Sequence, residues 1–156
     1  MVLGNEKIAS IVPPLVIPLD PDLIQPASLD IRFGTEVRRS SGEIQTLYLG
    51  DVARIRPGEA FQVASLERCN FPEEISGMVR LKSSAARAWL ALAGGEWIDP
   101  GYRGNLTLSV KNNGDQAYTV VCGKPFAQII FFETSGVGAA YAGQYQDSCG
   151  LTPAKS

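Results

Sequence analysis

Histidine is absent from this 156-residue chain. That removes Ser-His-Asp and Cys-His nucleophile arrangements and most zinc sites. It also removes the zinc-dependent route to nucleobase deamination, which needs a His/Cys ligand set. Cysteine is scarce as well. Cys69, Cys122 and Cys149 are odd in number and far apart, so they form neither a disulfide framework nor a C-x-x-C metal site. No apolar run approaches the ~20 residues of a membrane span. Residues 1–7 lack the charged and apolar regions of a signal peptide, and a cytoplasmic protein is the expectation. Charged residues make up 19% of the chain and the net charge is -2, which provides no broad field for nucleic acid or an anionic membrane. Catalysis in such a chain must run on carboxylates, hydroxyls, Lys and Arg, backbone groups, or a metal carried in by the substrate.

What is present reads as one domain over residues 1–156 with a core of its own. Pro13, Pro14, Pro18, Pro21 and Pro26 crowd the first 26 residues. Interior proline opposes helix and central strand, so this region reads as an extended arm. Short β-like runs follow. Leu29–Phe33, Ala60–Ala64, Gly77–Leu81 and Leu106–Val110 alternate or carry β-favouring residues, and Asn112-Asn113-Gly114 supplies a turn. Ala117–Val121 leads through Cys122-Gly123-Lys124-Pro125 into the apolar run 126–132. Many short strands with Gly/Pro turns imply an all-β barrel or sandwich. The helix candidate is Ser83–Leu90, rich in alanine with serine at its start. From Ser135 onward the chain is rich in Gly, Ala, Ser and Gln and has little to bury, so residues 135–156 read as a flexible lid.

Three clusters could carry chemistry. Asp99 closes an apolar strand end and is followed at once by Pro100-Gly101. A carboxylate held by backbone and shielded from water there can take a proton from a bound water, although Asp before Pro-Gly also simply starts turns. Lys82-Ser83-Ser84-x-x-Arg87 offers hydroxyls and positive charge to a phosphate, or a plain serine cap with solvated bases. Gln128 sits in an apolar run where an amide must find partners, either a ligand or a neighbouring strand.

Six blocks then follow in order: Gln25–Gly34, Lys82-Ser83-Ser84-x-x-Arg87, Trp97–Gly104, Leu106-Thr107-Leu108, Gly123–Gln128, and Tyr141-x-Gly143-x-Tyr145-Gln146. Together they resemble the dCTP deaminase / trimeric dUTPase superfamily, from about Ile24 to about Gly150. The resemblance implies an all-β, distorted-barrel fold with one short helix, and a homotrimer. It also implies active sites at subunit interfaces, closed by the C-terminal tail. Substrates would be pyrimidine deoxynucleoside triphosphates carrying Mg²⁺ on their phosphates, with no protein-built metal site. It assigns Lys82, Ser83, Ser84 and Arg87 to the phosphates, Tyr102 to the sugar, and Gln128 to the nucleotide. Asp99 would activate water, and Tyr141 and Tyr145 would belong to the lid.

One departure separates the family's two activities. In zinc-free deaminases of this kind the block Gly-x-x-Thr-Leu is followed by a catalytic glutamate; here Gly104–Leu108 is followed by Ser109. A serine hydroxyl cannot hold and return a proton at neutral pH as a tuned carboxylate does. The expectation from sequence is therefore a dUTP diphosphatase with Asp99 as general base. A dCTP deaminase ranks second; Glu96, three residues before Asp99, reads as an exposed turn residue, or, if it points into the pocket, as a partial stand-in for the missing glutamate or a charge that repels the triphosphate. A non-catalytic nucleotide-binding trimer ranks third.

Overall fold

The structure is a computed structural model that describes residues 1–155, and their side chains apart from those of residues 12–14. Twelve strands build it: β1 (Val16–Ile17), β2 (Ile24–Gln25), β3 (Ser28–Arg39), β4 (Ile44–Thr46), β5 (Val52–Ile55), β6 (Ala60–Asn70), β7 (Ile75–Leu81), β8 (Leu90–Leu92), β9 (Trp97–Ile98), β10 (Arg103–Asn112), β11 (Tyr118–Val121) and β12 (Pro125–Glu133). Ten of them form one antiparallel sheet along the path β8-β10-β6-β3-β12-β7-β9, with β1, β2 and β4 attached at its sides. β5 and β11 make a separate two-stranded ladder. The sheet curls into a half-barrel, the β-rich fold expected from the sequence. Among the described residues no helix is long and apolar enough to cross a membrane.

Alternation builds the core. Leu29, Ile31 and Phe33 of β3, Phe61 and Val63 of β6, and Leu106, Leu108 and Val110 of β10 are all buried. Phe33 meets Phe126 edge-on with ring centroids 5.2 Å apart, a geometry that favours the ring quadrupoles. Gly34, expected to punctuate its strand, lies inside β3. The Ala64 backbone stands where a Cβ would be, so the two strands approach only because position 34 has none.

The expected extended N-terminal arm is corrected. It contains a helix, α1 (Asn5–Leu15). Residues 5–12 are free of proline, and Ile8, Ile11 and Leu15 recur at helical spacing. Ile8 and Leu15 are buried and Ile11 packs against the core, so burial of one face outweighs the prolines in the last turn. The second helix, α2 (Ser83–Arg87), is shorter than the Ser83–Leu90 expected. Trp89, in the left-handed region at φ 65, turns the chain out of it and into β8.

Candidate functional site

β10 is the floor of the site. Its core-facing residues are Leu106, Leu108 and Val110, so period-two alternation sends Asn105, Thr107 and Ser109 to the other face, where each is half-buried. That polar face opens on a cleft of about 380 Å³, lined also by Gln62, Asp99, Tyr102, Tyr141 and Tyr145. Gln62 is the register partner of Ser109 across the β6–β10 ladder. Its Nε2 donates to Ser109 Oγ at 3.1 Å.

Asp99 follows β9, and the Asp99-Pro100-Gly101 turn is closed by Tyr102 N–H donating to the Asp99 carbonyl at 3.1 Å. Gly101 sits at φ 83, where a side chain would be strained. The carboxylate of Asp99 lines the cleft but is exposed, and it forms no ion pair among the described residues. The shielding expected at this position is absent in the single chain, because β9 is two residues long and pairs only with β7 at the sheet edge. Tyr102 donates its hydroxyl to the Asn105 carbonyl at 2.8 Å and meets Tyr141 edge-on at 5.7 Å. Burial pushes the Tyr102 phenol up to about 12, so it stays protonated and serves as a wall rather than a base.

The C-terminal segment lies along this floor. Ser148 bridges Gly104 in parallel sense. Gly150 N–H then donates to Asn105 Oδ1 at 3.2 Å, and Thr152 N–H to Thr107 Oγ1 at 3.0 Å. Two tail steps thus match two β10 steps. Leu151 N–H adds a bond to Glu36 Oε2 at 3.0 Å. At the near end, Asp147 is paired with Arg103 and Arg68, each at 2.9 Å. The bond from Arg103, helped by both positive charges, holds the Asp147 carboxyl below its ordinary value.

The remaining expected residues lie elsewhere in the chain. Ser83, Ser84 and Arg87 are exposed on α2, outside the cleft. The Lys82 ammonium is committed to the buried carboxylate of Asp30. Gln128 pairs in register with Asp30 and Arg80, and its Oε1 accepts from Ser28 Oγ at 2.8 Å, the neighbouring-strand option left open by the sequence. Glu96 does not line the cleft: its Oε2 accepts from Arg80 Nη1 at 2.6 Å. Among the described lining residues Asp99 is therefore the one carboxylate. Sequence reasoning gave no role to Gln62, Asn105 or Thr107, although the last two lie in the block that precedes Ser109. The signal available for Gln62 was its place between buried Phe61 and Val63, which sends its amide to the opposite face.

A family model described as dCTP deaminase-like matches residues 2–134. A dCTP deaminase of Pyrococcus horikoshii is 33% identical over 156 residues, covering 99% of this chain and 97% of its own. A dUMP-forming dCTP deaminase of Methanoculleus marisnigri is 32% identical over 143 residues, covering 80% of this chain and 74% of its own. Among solved structures, a 2'-deoxycytidine 5'-triphosphate deaminase from Agrobacterium tumefaciens superposes with a TM-score of 0.73 at 23% identity. That match covers 85% of this chain and 48% of the other, so this chain spans about half its length. The EIAV dUTPase superposes with a TM-score of 0.50 at 22% identity, over 74% of this chain and 98% of its own. These structural likenesses establish the fold.

Proposed function

The chain belongs to the dCTP deaminase-like family, and from that premise we propose that the cleft on β10 takes the base and sugar of a pyrimidine deoxynucleoside triphosphate, with Asp99 as proton carrier. The observation that carries this reading is the meeting of Asp99, Tyr102 and Ser109 around one cleft roofed by the tail tyrosines. Hydrolytic deamination of dCTP ranks first, because the similar proteins over nearly the whole length are named for it. The sequence alone ranked dUTP hydrolysis first, and the relatives reverse that order. In deamination, water adds to the amine-bearing ring carbon, and the amine leaves as ammonia. One group must take a proton from water and another proton must reach the amine. Asp99 is the group in the cleft suited to that shuttle.

A second reading keeps dUTP hydrolysis to dUMP and pyrophosphate. Ser109 favours it: a neutral hydroxyl paired with Gln62 stands on the floor, and Asp99 alone suffices to activate a water for attack on a phosphate. In both readings Ser83, Ser84 and Arg87 bind phosphates at a neighbouring subunit's cleft in a homotrimer, which accounts for their distance from their own. Gln128 supports the strand that carries them. Lys82 acts through Asp30, keeping that strand pair charged and fixed. Mg²⁺ arrives on the triphosphate oxygens as part of the substrate.

The test is a product assay. The protein is incubated with Mg²⁺ and either dCTP or dUTP, and the nucleotides are separated by chromatography. Uracil nucleotide from dCTP establishes deamination; dUMP from dUTP with dCTP untouched establishes the second reading. No product from either substrate overturns both.

A further inference from the structure

Gln62 and Ser109 form a hydrogen-bonded pair on the floor of the cleft. Ser109 Oγ accepts from Gln62 Nε2 at 3.1 Å, which leaves the Ser109 O–H free to donate. The Gln62 amide oxygen takes no hydrogen bond among the described residues, which leaves an acceptor beside that donor. Both side chains are half-buried and line the same cleft. They sit in register on adjacent strands, so the backbone ladder fixes their spacing.

A hydroxyl donor next to an amide acceptor has a definite complement. The edge of a 4-oxo pyrimidine offers a carbonyl acceptor next to a ring N–H donor. Cytosine offers an amino donor and a bare ring nitrogen, the reverse order. We propose that Gln62 and Ser109 select the 4-oxo, uracil-type base over cytosine in this cleft. The inference rests on the nucleotide reading above and adds a specificity-determining pair to it. For a deaminase the consequence is retention of the product; for a diphosphatase it is choice of substrate. Gln62 is a specificity residue in this scheme and passes no proton.

The experiment is calorimetric titration, with Mg²⁺, by the α,β-imido analogues of dUTP and dCTP, of the full chain carrying Asp99→Asn, because the imido bridge blocks phosphate cleavage and the substitution suppresses deamination; the variants below are made in the same background. Chromatography afterwards verifies that neither was converted. The expected result is tighter binding of the uracil form by about tenfold or more, as for a two-point edge contact. Gln62→Leu and Ser109→Ala each bring the ratio toward unity while both analogues still bind through sugar and phosphate. Equal binding of the two forms by the Asp99→Asn chain, a cytosine preference, or a ratio unchanged in Gln62→Leu overturns the inference alone. Failure of both analogues to bind overturns the nucleotide reading and this inference with it.

Discussion

The Lys82 ammonium rests on Oδ2 of Asp30, a carboxylate whose side chain is 4% exposed, and Asp30 Oδ1 has no hydrogen-bond partner among the described residues. The pair joins β3 to the end of β7 across β12. Removing the cation leaves a buried charge with no counterion. Lys82→Met is expected to destabilise the fold by about 3 kcal/mol. Adding Asp30→Asn to it returns part of the loss, because the amide is cheaper to bury uncharged. Urea unfolding of the two variants checks both.

Asp99 makes the opposite prediction. Its side chain is exposed and supports nothing by hydrogen bond among the described residues, while its backbone closes the turn. Asp99→Asn is expected to lower turnover by about 10²–10⁴. The unfolding free energy stays within about 0.5 kcal/mol of wild type. Steady-state rates on dCTP and dUTP, paired with urea unfolding, separate the two effects.

Ser109 offers a gain rather than a loss. A carboxylate at this half-buried position would face the cleft from the floor and give the proposed deamination a second proton carrier beside Asp99. Ser109→Glu is expected to raise the rate of uracil nucleotide formation from dCTP by about 10² or more. The same chromatographic assay measures it. An unchanged rate removes the floor position from the deamination chemistry.

Tail docking should respond to acid. The Asp147 carboxyl is held below its ordinary value of 3.8, chiefly by the bond from Arg103. A depressed carboxyl contributes to docking above its undocked value and loses that contribution as pH falls through the docked one. Docking is therefore expected to be steady from neutrality to about pH 4 and to weaken below 3.8. Amide resonances of Ser148 and Gly150 followed by NMR report it, and Asp147→Asn abolishes the step.

Burial of alternate residues made the sheet legible in the sequence. Leu29–Phe33, Ala60–Ala64, Gly77–Leu81 and Leu106–Val110 all fall within observed strands. The extent of β3 was hidden by Gly34, whose meaning is set by the Ala64 backbone on another strand. Helix α1 was hidden by its prolines, because local propensity cannot register the burial of Ile8 and Leu15 against distant strands. Asp99, Tyr102, Tyr141 and Tyr145 were named from their blocks, and all four line one cleft, where their roles are those proposed above. The order of the tail escaped composition. Its polar residues bury little, but their backbone N–H groups find Asn105 and Thr107, a match visible only once β10 exists. Gln62 escaped because its partner lies 47 residues away.

The tail ladder also bears on who serves whom. The segment between β12 and Ser148 contains Gly136 and Gly138, and a tether of that composition sets a reach rather than a destination. Every copy of the chain offers the same Asn105 and Thr107 rungs. In an assembly, a subunit's own tail and its neighbour's therefore compete for one set of rungs, and local concentration decides the winner. Exchange of tails would preserve every bond of the ladder while changing its ownership. Roofing of a cleft then becomes a property shared among subunits, and a copy that has lost its own tail can still be closed by another's.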